Sequence, residues 1–150
     1  MDIRQDKDQV TSVIEEWAAA LSVGDVERIK STWDKSYENL IYLAEENNDA
    51  ALGWNAIEHY YNGLGKDTGN ASLSIDNIHI DIISDAAWAY LTFQLKAEII
   101  PFNRTLTFNG RNTFILRKTL NMWKIIHYHE SLSRDHSRDT WDWFFKKYFR

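Results

Sequence analysis

Two different periods of apolar positions divide the chain. From about Asp6, the residues Val10, Val13, Ile14, Trp17 and Leu21 recur at three- and four-residue steps, the spacing of one face of an amphipathic helix. Gly24 is placed to end that helix, because glycine takes the left-handed C-terminal conformation without steric cost. Asp25 can cap a short second helix carrying Val26, Ile29 and Trp33. The segment SYENLIYLAEE reads as a strand, and GWNAIEHYYNGL sets Trp54, Ile57, Tyr61 and Leu64 on one helical face.

After Gly69 the period falls to two. ASLSIDNIHIDII alternates, with Ile75, Asn77, His79 and Asp81 on one side and Ser74, Asp76, Ile78, Ile80 and Ile82 on the other. AWAYLTFQLKAEI, RTLTFNGRNTFILRK and NMWKIIHYHESL are three further long strands. Short turns at Ser84-Asp85 and at Thr119-Leu120-Asn121 fit antiparallel hairpins. Last, RDTWDWFFKKYFR places Trp141, Phe144, Phe145 and Tyr148 at helical steps, which predicts an aromatic-striped helix over about 136–149. Helices first and long antiparallel strands afterwards predict an α+β fold, with helices covering one face of a curved sheet.

Composition narrows the picture. A length of 150 residues suits one domain spanning 1–150, and no repeat or Pro/Gly/Ser-rich linker divides it. Aromatic residues make up 14%, including seven Trp, which supplies large apolar walls for a pocket. A formal charge of -5 argues against a general nucleic-acid surface, which needs a basic face. With no cysteine, thiolate chemistry and disulfides are excluded. The polar start MDIRQDKDQV lacks the apolar core of a signal peptide, and no run reaches membrane-spanning length, so a cytoplasmic protein without a membrane partner is expected.

The words GDVERIKSTW, IYLAEENNDAALGWNAIEHYY and, above all, GRNTFILRKTLNMWKIIHYHESLS resemble the nuclear transport factor 2-like superfamily. Within it they are most similar to the SnoaL-like group, which includes ketosteroid isomerase-like proteins. The resemblance covers roughly residues 8–133, and Gly110, Arg111, Thr113, Trp123, His127, His129 and Ser131 carry its most specific part. It implies a cone, in which a strongly bent antiparallel sheet wraps N-terminal helices and leaves a cavity open at one end. It further implies a homodimer. Members include isomerases, polyketide cyclases and dehydratases, while others use the fold only for binding or assembly, so fold alone does not name the reaction.

In an unbroken strand, Trp123, Ile125, His127, His129 and Ser131 share one face. If the last hairpin turns over Thr119 to Asn121, Arg111 faces His129 and Thr113 faces His127. That arrangement offers His127 and His129 as proton carriers and Arg111 as the holder of a carboxylate or enolate oxygen. Trp33, Tyr42, Trp54, Tyr60, Trp88, Thr113, Trp123 and Ser131 are the accompanying ligand-binding candidates. A histidine in a half-buried strand is more often hydrogen-bonded structure than catalyst, and core packing explains the tryptophans equally well. An H-x-H pair can also offer two nitrogens to zinc, but it needs a third ligand that the spacing does not supply. The resulting expectation is a pocket for a small apolar carbonyl-type molecule with cofactor-free, metal-free acid–base chemistry. The alternative is a non-catalytic dimeric ligand-binding or assembly domain. The aspartate base and tyrosine/aspartic-acid pair of the ketosteroid isomerases find no counterpart placed on this chain.

Overall fold

The computed structural model describes residues 2–45, 47–64, 68–100 and 103–133. In chain order these form α1 (Ile3–Val23), α2 (Val26–Ser31), β1 (Ile41–Leu43), β2 (Ala51–Leu52), α3 (Trp54–Asn62), β3 (Thr68–Ile83), β4 (Ala86–Ile99), β5 (Arg104–Thr119) and β6 (Met122–Leu132). The expected C-terminal aromatic helix lies outside the described residues. Among those residues no helix is long and apolar enough to cross a membrane.

Local chemistry sets the helix ends. The Asp2 carboxylate accepts from the backbone N–H groups of Arg4 and Gln5, satisfying donors that the first turn of α1 leaves open. Gly24, at φ 68°, closes the helix in the left-handed conformation, and Asp25 caps α2 through the N–H of Arg28. Val10, Ile14 and Trp17 of α1 are fully buried, and α1 lies along β3 and β6. The Leu73 N–H donates to the Ser22 hydroxyl at 2.8 Å, fastening the end of α1 to the sheet.

One sheet runs β2-β1-β6-β5-β4-β3. It is mixed rather than wholly antiparallel, because β1 returns parallel to β6, with Tyr42 beside Tyr128. The strand expected over SYENLIYLAEE shortens to three residues.

The last hairpin also differs from its expected form. Its turn has two residues, Leu120 and Asn121, both at positive φ (52° and 59°), so Thr119 faces Met122. Positive φ at both central positions matches the right-handed twist of the flanking strands, whereas a three-residue turn adds a residue that the pairing does not contain. Further along, the register shifts between Ile115 and Leu116, and Ile126 is left without a partner. Arg111 consequently faces Ser131 and Thr113 faces His129, not His129 and His127. A similar shift in β3, at Asn77 (φ 53°), turns Ile75 and Ile78 to the same side despite their odd separation. Such bulges insert residues on one strand and so reverse the alternation beyond them.

Candidate functional site

The bulge at Ile126 decides what the sheet presents to its interior. Before it, Trp123 and Ile125 point inward; after it, Tyr128 is the buried residue and His129 is exposed. Tyr128 and Glu130 therefore enter the cavity, while His127, His129 and Ser131 go to the outer face. On β5, buried positions alternate through Leu106, Phe108, Gly110, Asn112, Phe114 and Leu116, which puts Arg111 and Thr113 outside as well. The expected polar group is thus gathered on one face, and that face is not the one lined by Trp123 and Ile125. Arg111 donates through Nε to the Ser131 hydroxyl at 2.9 Å. His127 is half-buried, and burial first, then the neighbouring His129, lowers its pKa from the ordinary 6.5. Among the described residues no group of three or more His, Cys, Asp or Glu stands where a metal ion could be held.

The inner face borders a cavity of about 880 Å³ between α1 and the sheet, within the range of small-molecule sites. Its polar end is a directional chain. The Asn112 carboxamide donates through Nδ2 to the Tyr128 hydroxyl at 2.6 Å, and Tyr128 in turn donates to Glu130 Oε2. Glu130 Oε1 accepts the backbone N–H of Glu45 at 2.9 Å. A carboxylate can only accept, so the Tyr128 proton must point to it and the Tyr128 oxygen must receive from Asn112. Among the described residues, the buried Asn112 Oδ1 has no hydrogen-bond partner.

Aromatic rings fix this chain in place. Tyr42 stacks on Tyr128 with centroids 4.9 Å apart and planes 11° from parallel, and Tyr60 lies 4.7 Å from Tyr42. Burial, reinforced by Tyr60, Tyr61, Tyr128 and Glu130, pushes the Tyr42 phenol well above its usual range. Tyr42 therefore stays protonated and can offer a hydrogen bond but not a phenolate base. Gly110 makes room for this wall. A methyl group there would stand 2.5 Å from Cζ of Phe93 and 2.6 Å from the Ser131 carbonyl oxygen.

Of the ligand-binding candidates, Tyr42 and Tyr60 line the cavity. Trp33 is sealed behind Tyr42, its ring 6.1 Å away and its Nε1 donating to the Tyr61 hydroxyl at 3.1 Å. Trp54 carries the Lys35 ammonium 5.1 Å from its ring centroid and is not part of the lining. Trp123 donates to buried Asp6 at 2.9 Å beside Lys118, away from the cavity. Trp88, 41% exposed, stands on the outer face with Tyr90, because even-numbered positions of β4 point outward.

Sequence reasoning missed Asn112, Tyr128 and Glu130. Two signals were present. Asn112 is the one polar side chain on the alternating apolar face from Leu106 to Leu116, and the adjacent pair Ile125-Ile126 breaks the alternation where the bulge falls.

A model of the SnoaL-like domain matches residues 10–135. Among solved structures, a nuclear transport factor 2-like superfamily protein from Salmonella enterica serovar Typhimurium superposes with a TM-score of 0.81 at 20% identity, covering 91% of this chain and 97% of its own. A ketosteroid isomerase-like protein from Erwinia carotovora gives 0.70 at 14% identity, with 83% and 94% covered. A type 2 hexachlorocyclohexane dehydrochlorinase gives 0.74 at 10%, with 89% and 93% covered. No curated protein matches the chain.

Proposed function

From a chain that belongs to the SnoaL-like family, within the nuclear transport factor 2-like superfamily, we propose a pocket protein that binds a small apolar carbonyl compound and moves a proton on it without a cofactor. The observation that carries this reading is the Asn112–Tyr128–Glu130 chain at the polar end of the cavity. Glu130 is the base. Its carboxylate removes a proton from the carbon next to the carbonyl, and the electron pair shifts onto the carbonyl oxygen. Tyr42, held neutral, donates a hydrogen bond to that developing oxyanion. Returning the proton from Glu130 to another carbon isomerises the molecule, and expelling a leaving group from the β-carbon completes an elimination. The dehydrochlorinase among the structural neighbours is named for an elimination, the removal of hydrogen chloride.

Deuterium uptake tests this without knowledge of the natural substrate. In heavy water the protein should accelerate exchange of the α-hydrogens of cyclohexanone or 2-tetralone, followed by proton NMR. Glu130→Gln should remove at least about a hundredfold of that acceleration. Exchange no faster than buffer, or equal in the variant, would refute the assignment of Glu130 as base.

The assembly reading has its own observation, the outer face on which Trp88 (41% exposed) and Tyr90 (37%) meet solvent. Tyr128 is turned inward and takes no part in this face. Pairing of two chains across it gives a homodimer, and light scattering at micromolar concentration should return twice the 17.7 kDa chain. A monomer would remove it.

A further inference from the structure

One buried group on the cavity wall is not accounted for by the fold. Asn112 is the polar residue among the apolar inward positions of β5, and it is only 3% exposed. A carboxamide placed there brings both donors and an acceptor that need partners. Nδ2 has one, the Tyr128 hydroxyl at 2.6 Å. Oδ1 has none among the described residues, although an unmet buried acceptor is costly and native interiors hold few of them.

The two ends of a carboxamide are nearly alike in shape, so the hydrogen-bond chain decides which of them is left over. With Glu130 ionised, the Tyr128 proton points to the carboxylate, and the Tyr128 oxygen has only lone pairs to offer Asn112. Nδ2 therefore faces Tyr128, and the remaining group is an acceptor. Further partners of Glu130 do not alter this, since a carboxylate accepts from all of them. The neighbours of Asn112 on the sheet do not supply a side-chain donor. Level with it stand Leu91 on β4 and Glu130 on β6, and two positions away along β5 stand Gly110 and Phe114. The cavity, which Asn112 borders, is the side from which a donor can arrive. Two other polar residues of the lining are differently placed: the Ser22 hydroxyl donates to the Ala18 carbonyl and accepts the Leu73 N–H, and Asn70 is exposed.

We propose that Asn112 sets specificity: its Oδ1 accepts a hydrogen bond from a hydroxyl group of the substrate, so the carbonyl compound that this cavity takes is a hydroxylated one. The carbonyl oxygen lies at Tyr42, the acidic C–H at Glu130 and the hydroxyl at Asn112. An ether or ketone oxygen in the hydroxyl's place sets lone pair against lone pair and leaves Oδ1 unmet. This rests on the reading of the cavity as a carbonyl site, and adds to it the donor that the substrate must carry.

Calorimetric titration at pH 7 of 2-tetralone, its four aryl-hydroxylated forms and their methyl ethers tests it. At least one hydroxytetralone should bind about fivefold or more tightly than both its methyl ether and the parent ketone, because the ether keeps the oxygen and loses the proton. Comparison with the smaller parent separates the hydrogen bond from crowding by the methyl group. In Asn112→Leu the preference should disappear, whereas Asn70→Ala should retain it. If Asn112→Leu does not fold, the wild-type set decides alone. A smaller gain at every ring position would overturn the inference, and so would a preference that survives Asn112→Leu. Deuterium exchange keeps the two readings apart. Hydroxytetralones that bind in this pattern without exchanging would sink the chemistry and leave the specificity standing, whereas exchange without the pattern would do the reverse.

Discussion

Two regions of the aromatic core meet at Tyr42, whose ring lies 5.2 Å from that of Tyr61 and 4.9 Å from that of Tyr128. Both neighbours are buried tyrosines, yet their hydroxyls are used in opposite ways. Tyr61 receives the indole N–H groups of Trp17 at 3.2 Å and Trp33 at 3.1 Å. Its oxygen is a knot between α1, α3 and the segment after α2. Tyr128 instead gives its proton to Glu130 and takes one from Asn112, at the wall of the cavity. The direction of the hydrogen bonds separates a group that holds the core together from one that orients a carboxylate at the cavity wall.

Removing each hydroxyl in turn tests that separation. Tyr61→Phe leaves two buried indole donors without their acceptor, and each unmet group costs about 1 to 3 kcal/mol. The expected loss is about 2 to 4 kcal/mol of unfolding free energy, read as a lower urea midpoint at unchanged slope. Ketone binding should hardly change. Tyr128→Phe should cost less stability, about 1 to 2 kcal/mol, and should slow α-hydrogen exchange by tenfold or more, since Glu130 and Asn112 lose the group that aligns them. Equal stability losses with exchange untouched in Tyr128→Phe would erase the contrast.

Charge follows the same division. Away from the cavity, carboxylates are paired with cations: Asp6 with Lys118 at 2.8 Å and Asp34 with Arg117 at 2.7 Å. The Lys118 hydrogen bond, then that of Trp123, draws the Asp6 carboxyl below its usual 3.8 in spite of its burial. For Asp34, burial pushes up, but the Ser36 and Arg117 hydrogen bonds outweigh it. A carboxyl depressed in the folded state adds stability that is present above its unfolded value and is lost as pH falls through the folded one. Acid unfolding should therefore begin below about pH 4, and Asp6→Asn should be less stable than wild type at pH 7 and less sensitive to acid. A variant with the wild-type acid profile would show that Asp6 contributes nothing to it.

These contrasts also mark how far the sequence could be read. The helices were legible because Val10, Ile14 and Trp17 keep a strict period and because Gly24 and Asp25 are end signals with local causes, whereas the start of α1 at Ile3, capped by Asp2, was not, the apolar period being clear only from about Asp6. The four long strands were legible from alternation. Which face each residue takes was not, since one inserted residue reverses every side chain after it. At Ile126 that inversion exchanged His127 and His129 for Tyr128 and Glu130, and with them the whole candidate site. The parallel pairing of β1 with β6 was equally hidden, because three residues carry too little pattern to show a partner.

The histidines that looked catalytic still carry a measurable property, the smallest of these effects. His127 sits half-buried on the outer face of β6, between Ile41 of β1 and Ile115 of β5. Burial, and then the like charge of His129, disfavours its protonated form and lowers its pKa below 6.5. The unfolded chain thus binds more protons than the folded one between that lowered value and 6.5, so stability rises with pH across the window and falls as the solution is acidified through it. His127→Gln should flatten this slope without altering ketone exchange, because the side chain is outside the cavity. Thermal melts of both proteins from pH 5 to 7.5 measure it. If the homodimer forms through this face, burial deepens and the wild-type slope should steepen with protein concentration. An unaltered slope in the variant would mean that another group titrates there, and a changed exchange rate would return His127 to the chemistry.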